Sequence, residues 1–290
     1  MTQRVPNRAA SIRQRLLNLA RQRGEDFQQI LGRFALERLM YRLTQSPYAD
    51  HFVLKGALLF HLWFDLPHRP TRDADFLGTG SADPQHLANV FRTLTGIPLS
   101  DIEDDGLVFL ADTVTAAPIR RDAGYPGVRI TLQALLTEAR IPLQCDIGFG
   151  DAITPAPVRR TFPALLDLPP AILKAYPPET VIAEKLEAMV KLGAFNSRLK
   201  DYFDLWLLQK FESLDNRVLP EAIARTFKRR GTALPEILPS GLSADYVARN
   251  QPAWAAFLSR NHLKAPSLEE VVAELGAFYW PLLQAAATHP

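Results

Sequence analysis

The segment Phe52-Val-Leu-Lys-Gly-Ala-Leu-Leu-Phe60, followed by Thr71-Arg-Asp-Ala-Asp-Phe76, constrains the fold more than any other part of the chain. An apolar run of β type (Phe52, Val53, Leu54) meets Gly56, and an apolar run with helical spacing follows (Leu58, Leu59, Leu62, Trp63). The order reads strand, glycine turn, helix, strand. Side chains alternate across a strand, so the carboxylates of Asp73 and Asp75 leave the second strand on one side and can converge on one cation. The plain alternative is a solvated strand end beside an ordinary turn.

A third carboxylate sharpens the reading. Ile141 to Phe149 alternates apolar and polar residues around Asp146, and it follows a second alternating run, Val128 to Leu135. A turn through residues 137–140 would join the two as an antiparallel hairpin. Laid beside the Asp73 to Asp75 strand, that hairpin would bring Asp146 to the pair, with Asp151 a weaker competitor. Free amides at the start of the helix after Gly56 could receive an anion. A phosphate-bearing ligand would then sit between those amides and a carboxylate-bound Mg²⁺ or Mn²⁺, the arrangement that nucleotidyl transfer needs.

Composition bounds the rest. With 290 residues, 47% hydrophobic, the chain can bury a sizeable core, and a formal charge of +2 requires no polyanion globally. Locally, Arg4 to Arg42 holds nine arginines against three acids, which reads either as solvated helix faces or as a polyanion contact. The single cysteine, Cys145, reads as a small core residue and rules out a disulfide within the chain. No apolar run approaches a membrane span and no secretion signal opens the chain. The expectation is a soluble protein of the reducing cytoplasm.

Residues 9–45 read as two amphipathic helices, and residues 81–95 as another. Leu107 to Leu110 reads as a further strand, and a proline-marked connector spans residues 154–170. Beyond it the pattern turns helical. Lys185 lies among small and apolar residues (Ala183, Leu186, Ala188), with room for a phosphate at its ammonium, or a plain pairing with Glu184 or Glu187. Asp201 has a helix-capping alternative. Asp204 does not, because it falls among Tyr202, Phe203, Leu205 and Trp206, where a carboxylate needs a partner; Lys185 and Arg198 are the candidates.

Five segments taken in order resemble the AbiEii/AbiGii toxin family, nucleotidyltransferases of the DNA polymerase β-like superfamily. They are Phe52-Val-Leu-Lys-Gly-Ala-Leu58, Arg72-Asp-Ala-Asp-Phe76, Cys145-Asp-Ile-Gly-Phe-Gly-Asp151, Thr180 to Ala188 and Arg198 to Leu205. The resemblance covers roughly residues 35–210, and the last third matches only in being helical. It implies an α/β (α+β) fold: a polymerase β-like core with a mixed sheet and a mostly helical C-terminal half. The expected layout is N-terminal helices over residues 1–48, the nucleotidyltransferase core over 49–165 and a helical domain over 166–290, with the cleft between the halves.

By the same resemblance, Asp73, Asp75 and Asp146 are metal ligands, and these three with Lys185 and Asp204 are catalytic. Lys55, Gly56, Ala57, Lys185, Arg198 and Asp201 bind the nucleotide. Many members carry Gly-Gly or Gly-Ser where this chain has Gly56-Ala57, which leaves only backbone donors there. The implied activity is that of a toxin of a toxin–antitoxin system, paired with a cognate antitoxin. By that resemblance it would transfer NMP from an NTP to RNA, at the tRNA 3′ end, and so block translation.

Arg69, Arg72, Arg120, Arg121, the N-terminal helices and Lys228 to Arg230 are the candidate RNA contacts. Replacing Asp73 or Lys185 with alanine is expected to abolish activity and spare the fold. Three other readings stay open: transfer to a protein hydroxyl, a catalytically silent nucleotide-binding partner protein, and a metal-dependent phosphohydrolase.

Overall fold

Among the described residues, seven strands form one mixed sheet in the order β3-β4-β5-β2-β1-β7-β6. The computed structural model describes residues 8–64, 71, 73–120, 126–211 and 214–288. The chain forms two compact units, residues 1–150 with 158–175 and residues 151–157 with 176–290.

The first unit begins with α1 (Arg8–Arg23) and α2 (Phe27–Thr44). β1 (Phe52–Lys55) runs into a 3₁₀ turn at Gly56–Leu59 and the four-residue helix α3 (Phe60–Trp63), shorter than the helix expected there. β2 (Asp73–Gly78), α4 (Pro84–Thr95), β3 (Leu107–Arg120), β4 (Pro126–Leu136), β5 (Ala139–Phe149), β6 (Val158–Thr161) and β7 (Ile172–Ala175) complete it. β2 pairs parallel with β5 and β1 parallel with β7, and the other neighbours are antiparallel.

Local chemistry explains the helix starts. Asp26 accepts a hydrogen bond from the Gln29 amide at 3.0 Å and opens α2, and Asp83 does the same for His86 at 2.8 Å before Pro84. Leu36, Leu39, Met40 and Leu43 of α2 meet Phe91 and Leu94 of α4 over Ala74, Phe76 and Cys145, and these residues form the core on one face of the sheet. The edges are guarded. β6 is exposed along its length and carries Arg159 and Arg160, and β3 breaks register between Leu110 and Thr115, where Asp112 is exposed.

The hairpin expected from the alternating runs is present, with a tight turn at Thr137 and Glu138. β6 and β7 lie within and just beyond what reads in sequence as a connector. β3 is 14 residues long where four were expected. The fold class is as expected, a mixed α/β unit followed by a helical one, α5 (Pro178–Leu192), α6 (Leu199–Leu208), α7 (Leu219–Arg230), α8 (Ala244–Arg260) and α9 (Leu268–Ala287). The second unit has its own core, with Leu186, Met189, Leu205, Phe227, Trp254 and Leu275 buried. No helix among the described residues is long and apolar enough to cross a membrane.

The arginine-rich start of the chain is a different matter from its sequence reading. Arg38 and Arg42 are buried on α2 and turn inward to Asp105: Arg38 Nε donates to it at 3.0 Å, and Arg42 donates two bonds at 2.6 and 3.1 Å. They are structural and unavailable to a polyanion. Glu37, also buried, accepts from the Leu165 amide at 2.9 Å, while its Oε1 has no hydrogen-bond partner.

Burial raises the Glu37 carboxyl from 4.5 to about 7 against the Leu165 bond and the nearby arginines. An acid whose folded pKa exceeds its unfolded one stabilises fully below the unfolded value and loses that contribution as pH rises through the folded one. The loss here runs from about pH 4.5 to 7. Glu37→Gln keeps an acceptor for Leu165 and is expected to gain on the order of 3 kcal/mol over the parent at pH 8 and little at pH 4. Urea melts at the two pH values check this; an equal gain at both would contradict it.

Candidate functional site

A single line of side chains crosses four strands. Arg129 on β4 is registered with Asp146 on β5, Asp146 with Asp75 on β2, and Asp75 with Lys55 on β1. Directly opposed residues project from the same face about 5 Å apart. The four therefore form a plus, minus, minus, plus row. One step along β2, Asp73 is registered with Gln144, and Gln144 with Thr131. Asp73 and Asp75 are partly exposed while Ala74 between them is buried, which confirms that both carboxylates point away from the core. The structure thus gathers Asp73, Asp75 and Asp146 on the sheet face opposite α2 and α4.

Arg129, which the sequence reading did not single out, grips Asp146 with two bonds, Nε to Oδ1 at 2.9 Å and Nη2 to Oδ2 at 2.8 Å. Its pKa is raised, first by those hydrogen bonds and then by the charges of Asp146, Asp73 and Asp75, so the guanidinium senses all three acids. Cys145 is buried on the opposite face of the sheet, and burial, followed by the same three charges, drives its thiol pKa far up. It is an inert core residue.

Gly56 is required twice over. Its φ is +76°, a conformation that favours glycine, and a Cβ there would lie 2.2 Å from Asp75 Oδ2. The turn between β1 and α3 is therefore what the Asp75 carboxylate rests on. Ala57 and Lys55 on either side are buried.

Among the described residues, no group of three or more His, Cys, Asp or Glu side chains is assembled as a metal cluster. Asp146 has both oxygens engaged by Arg129. The donor set itself, carboxylate oxygens from two adjacent strands, fits a hard divalent cation of the Mg²⁺ type.

In the second unit, Lys185 Nζ donates to Asp201 Oδ1 and Asp204 Oδ2, each at 2.7 Å. The side chains are 14%, 8% and 1% exposed, so this is a buried triad with one more negative than positive charge. Glu184 and Glu187, the alternative partners, instead bind Arg230, which also pairs with Asp151. Two expectations are corrected. Lys185→Ala cannot spare the fold, because it would strand two buried carboxylates. Arg230 is no RNA contact, because three acids hold it.

Arg198 is exposed at the start of α6, and its amide donates to Asn196 Oδ1 at 2.9 Å. Of the other candidate RNA contacts, Arg69, Arg72, Arg121 and the side chain of Arg120 lie outside the described residues, while Lys228 and Arg229 are exposed at the end of α7.

No curated protein matches the chain. Among solved structures, JHP933 from Helicobacter pylori is similar at a TM-score of 0.50 and 16% identity, over 90% of this chain and 93% of that one. A candidate nucleotidyltransferase from H. pylori gives a TM-score of 0.48 at 16% identity, over 90% and 96% of the two chains. At that identity the likeness to JHP933 bears on the fold alone. A family model described as nucleotidyl transferase AbiEii toxin, type IV TA system, matches residues 38–274, well over half of the sequence and far into the helical part where the five segments end. The chain belongs to the AbiEii family of nucleotidyltransferase toxins of type IV toxin–antitoxin systems.

Proposed function

We propose that this toxin transfers NMP from an NTP to an RNA 3′-hydroxyl, that of tRNA, with a divalent cation held by Asp73, Asp75 and Asp146. The observation that supports this most directly is the row in which Asp146 stands beside Asp75 with Asp73 on the same face. The acceptor oxygen forms a bond to the α-phosphorus, the bond to the β-phosphate bridging oxygen breaks, and pyrophosphate leaves. Asp146 takes the acceptor proton in this reading. A bound cation would neutralise charge building up on the phosphoryl oxygens.

Lys55 at the end of the row supplies fixed positive charge next to Asp75. In the first unit Gly56 and Ala57 offer the triphosphate backbone amides; in the second, Lys185, Arg198, Asp201 and Asp204 are the nucleotide-binding candidates that the family resemblance implies. Lys185 gives two of its three ammonium hydrogens to the aspartates, so a phosphate here would meet a charge that they already share. The arginines that stay exposed on α1, Arg8, Arg21 and Arg23, are the RNA phosphate contacts of this reading, and they make affinity fall steeply with salt. The family implies an antitoxin encoded as its partner.

The test is incubation of the purified protein with total tRNA, Mg²⁺ and each α-labelled NTP in turn, beside Asp73→Ala. Label should enter RNA with the parent alone, and Asp73→Ala should melt at the parent's temperature, since its carboxylate is outside the core. Label that persists in Asp73→Ala, or growth inhibition that survives it, overturns the catalytic role. Label in protein and none in RNA moves the acceptor to a protein hydroxyl.

A further inference from the structure

We propose that Arg129 is the positioning residue of the third carboxylate, holding Asp146 in the line of the row and competing with the divalent cation for the same two oxygens. The proposal rests on the metal-dependent reading above, and three features of the sheet carry it.

Register is the first. Arg129 and Asp146 are direct cross-strand partners, and Asp146 is in turn the direct partner of Asp75, so the backbone fixes the guanidinium one strand beyond the acids. Its planar fork takes both Asp146 oxygens at 2.8 and 2.9 Å, which fixes the rotation of the carboxylate as well as its position.

Exposure is the second. The Arg129 side chain is 43% exposed and that of Asp146 is 14%. An arginine that reaches in from solvent can swing back out, and an arriving cation would then take over the charge it leaves on Asp146. Arg38 and Arg42 on Asp105, at 0% and 5% exposure, cannot. The same bidentate chemistry therefore makes a permanent tie in one place and a releasable one in the other.

Charge balance is the third. Asp73, Asp75 and Asp146 face Arg129 and Lys55, a net of minus one across the two rows. Removing Arg129 makes it minus two and frees both Asp146 oxygens. Retaining Arg129 keeps the acids aligned while no cation is present and lowers affinity for a cation that arrives alone.

The experiment measures Mn²⁺ binding to the nucleotide-free 290-residue protein by the electron paramagnetic resonance of the free ion, for the parent, Arg129→Met, Arg129→Lys and Asp75→Asn. Arg129→Met is expected to bind Mn²⁺ roughly tenfold more tightly, from loss of one charge a few ångströms away. Turnover should fall, because Asp146 is no longer aligned. Arg129→Lys should restore part of the parent's weaker affinity, since it returns the charge without the fork. Tighter Mn²⁺ binding together with lower turnover is the signature of competition at Asp146; an arginine that only braces the acids would weaken both when removed.

Unchanged or weaker Mn²⁺ binding in Arg129→Met, with binding still reduced in Asp75→Asn, overturns the role of Arg129 and leaves the metal reading standing. No Mn²⁺ binding by any of the four proteins overturns both.

Discussion

Lys185→Ala is expected to cost the fold on the order of 3–5 kcal/mol, the usual penalty for removing one partner of a buried ion pair. The lysine is the shared donor for Asp201 and Asp204, at 2.7 Å each, and Asp204 is almost completely enclosed. Removing the ammonium leaves two largely buried carboxylates facing each other without the counter-charge they share. The midpoint of urea unfolding should drop sharply with little change in slope.

The triple variant Lys185→Met, Asp201→Asn, Asp204→Asn should recover most of that stability while remaining inactive, because neutral groups of similar volume need no counter-charge. A Lys185→Ala protein that unfolds at the parent's midpoint would show that the triad contributes nothing to folding. Loss of transfer in Lys185→Ala alone therefore cannot assign a phosphate role. Nucleotide affinity lost in the stable triple variant would assign the triad as a whole to the nucleotide site, without dividing the loss among its three members.

Gly56→Ala is expected to abolish transfer. The added methyl would need the space of Asp75 Oδ2, 2.2 Å away, and the backbone at φ +76° disfavours any side chain. The backbone term is about 1–2 kcal/mol, and the overlap can be relieved only by moving Asp75 off its line with Asp146. Gly80 is the matched control: its φ is +91°, yet a Cβ there meets nothing within 4 Å. Gly80→Ala should show the stability loss and keep its activity. Equal activity in both variants would mean that Asp75 tolerates displacement.

Much of this was legible in the sequence, and what was missed has physical reasons. The Asp73 to Asp75 spacing, the alternation around Asp146 and the glycine before a helical run are local signals, and they put the three acids on one sheet face, where the structure has them. Arg129 was invisible because it matters only through the β4 to β5 register, 17 residues away from Asp146 in sequence. Arg38 and Arg42 looked like surface charge because their counter-ion, Asp105, lies more than 60 residues on, in a loop. β6 escaped detection because four exposed residues show no alternation, and flanking prolines suggested a linker. The burial of Lys185 depended on α5 meeting α6, which helical periodicity does not specify.

The division of the chain into residues 1–150 with 158–175, and 151–157 with 176–290, has a consequence for birth order on the ribosome. All three acids have been translated by residue 146, yet β1 acquires its second neighbour only when β7 ends at Ala175. At the ordinary synthesis rate of about 5–20 residues per second, that separates translation of the acids from completion of their sheet by a few seconds. A nascent toxin released early, by a stop codon or a stalled ribosome before that point, would carry every acid of the row on a sheet still open at β1. Truncation anywhere upstream of Ala175 is thus expected to disarm the toxin, even where it spares each of those acids.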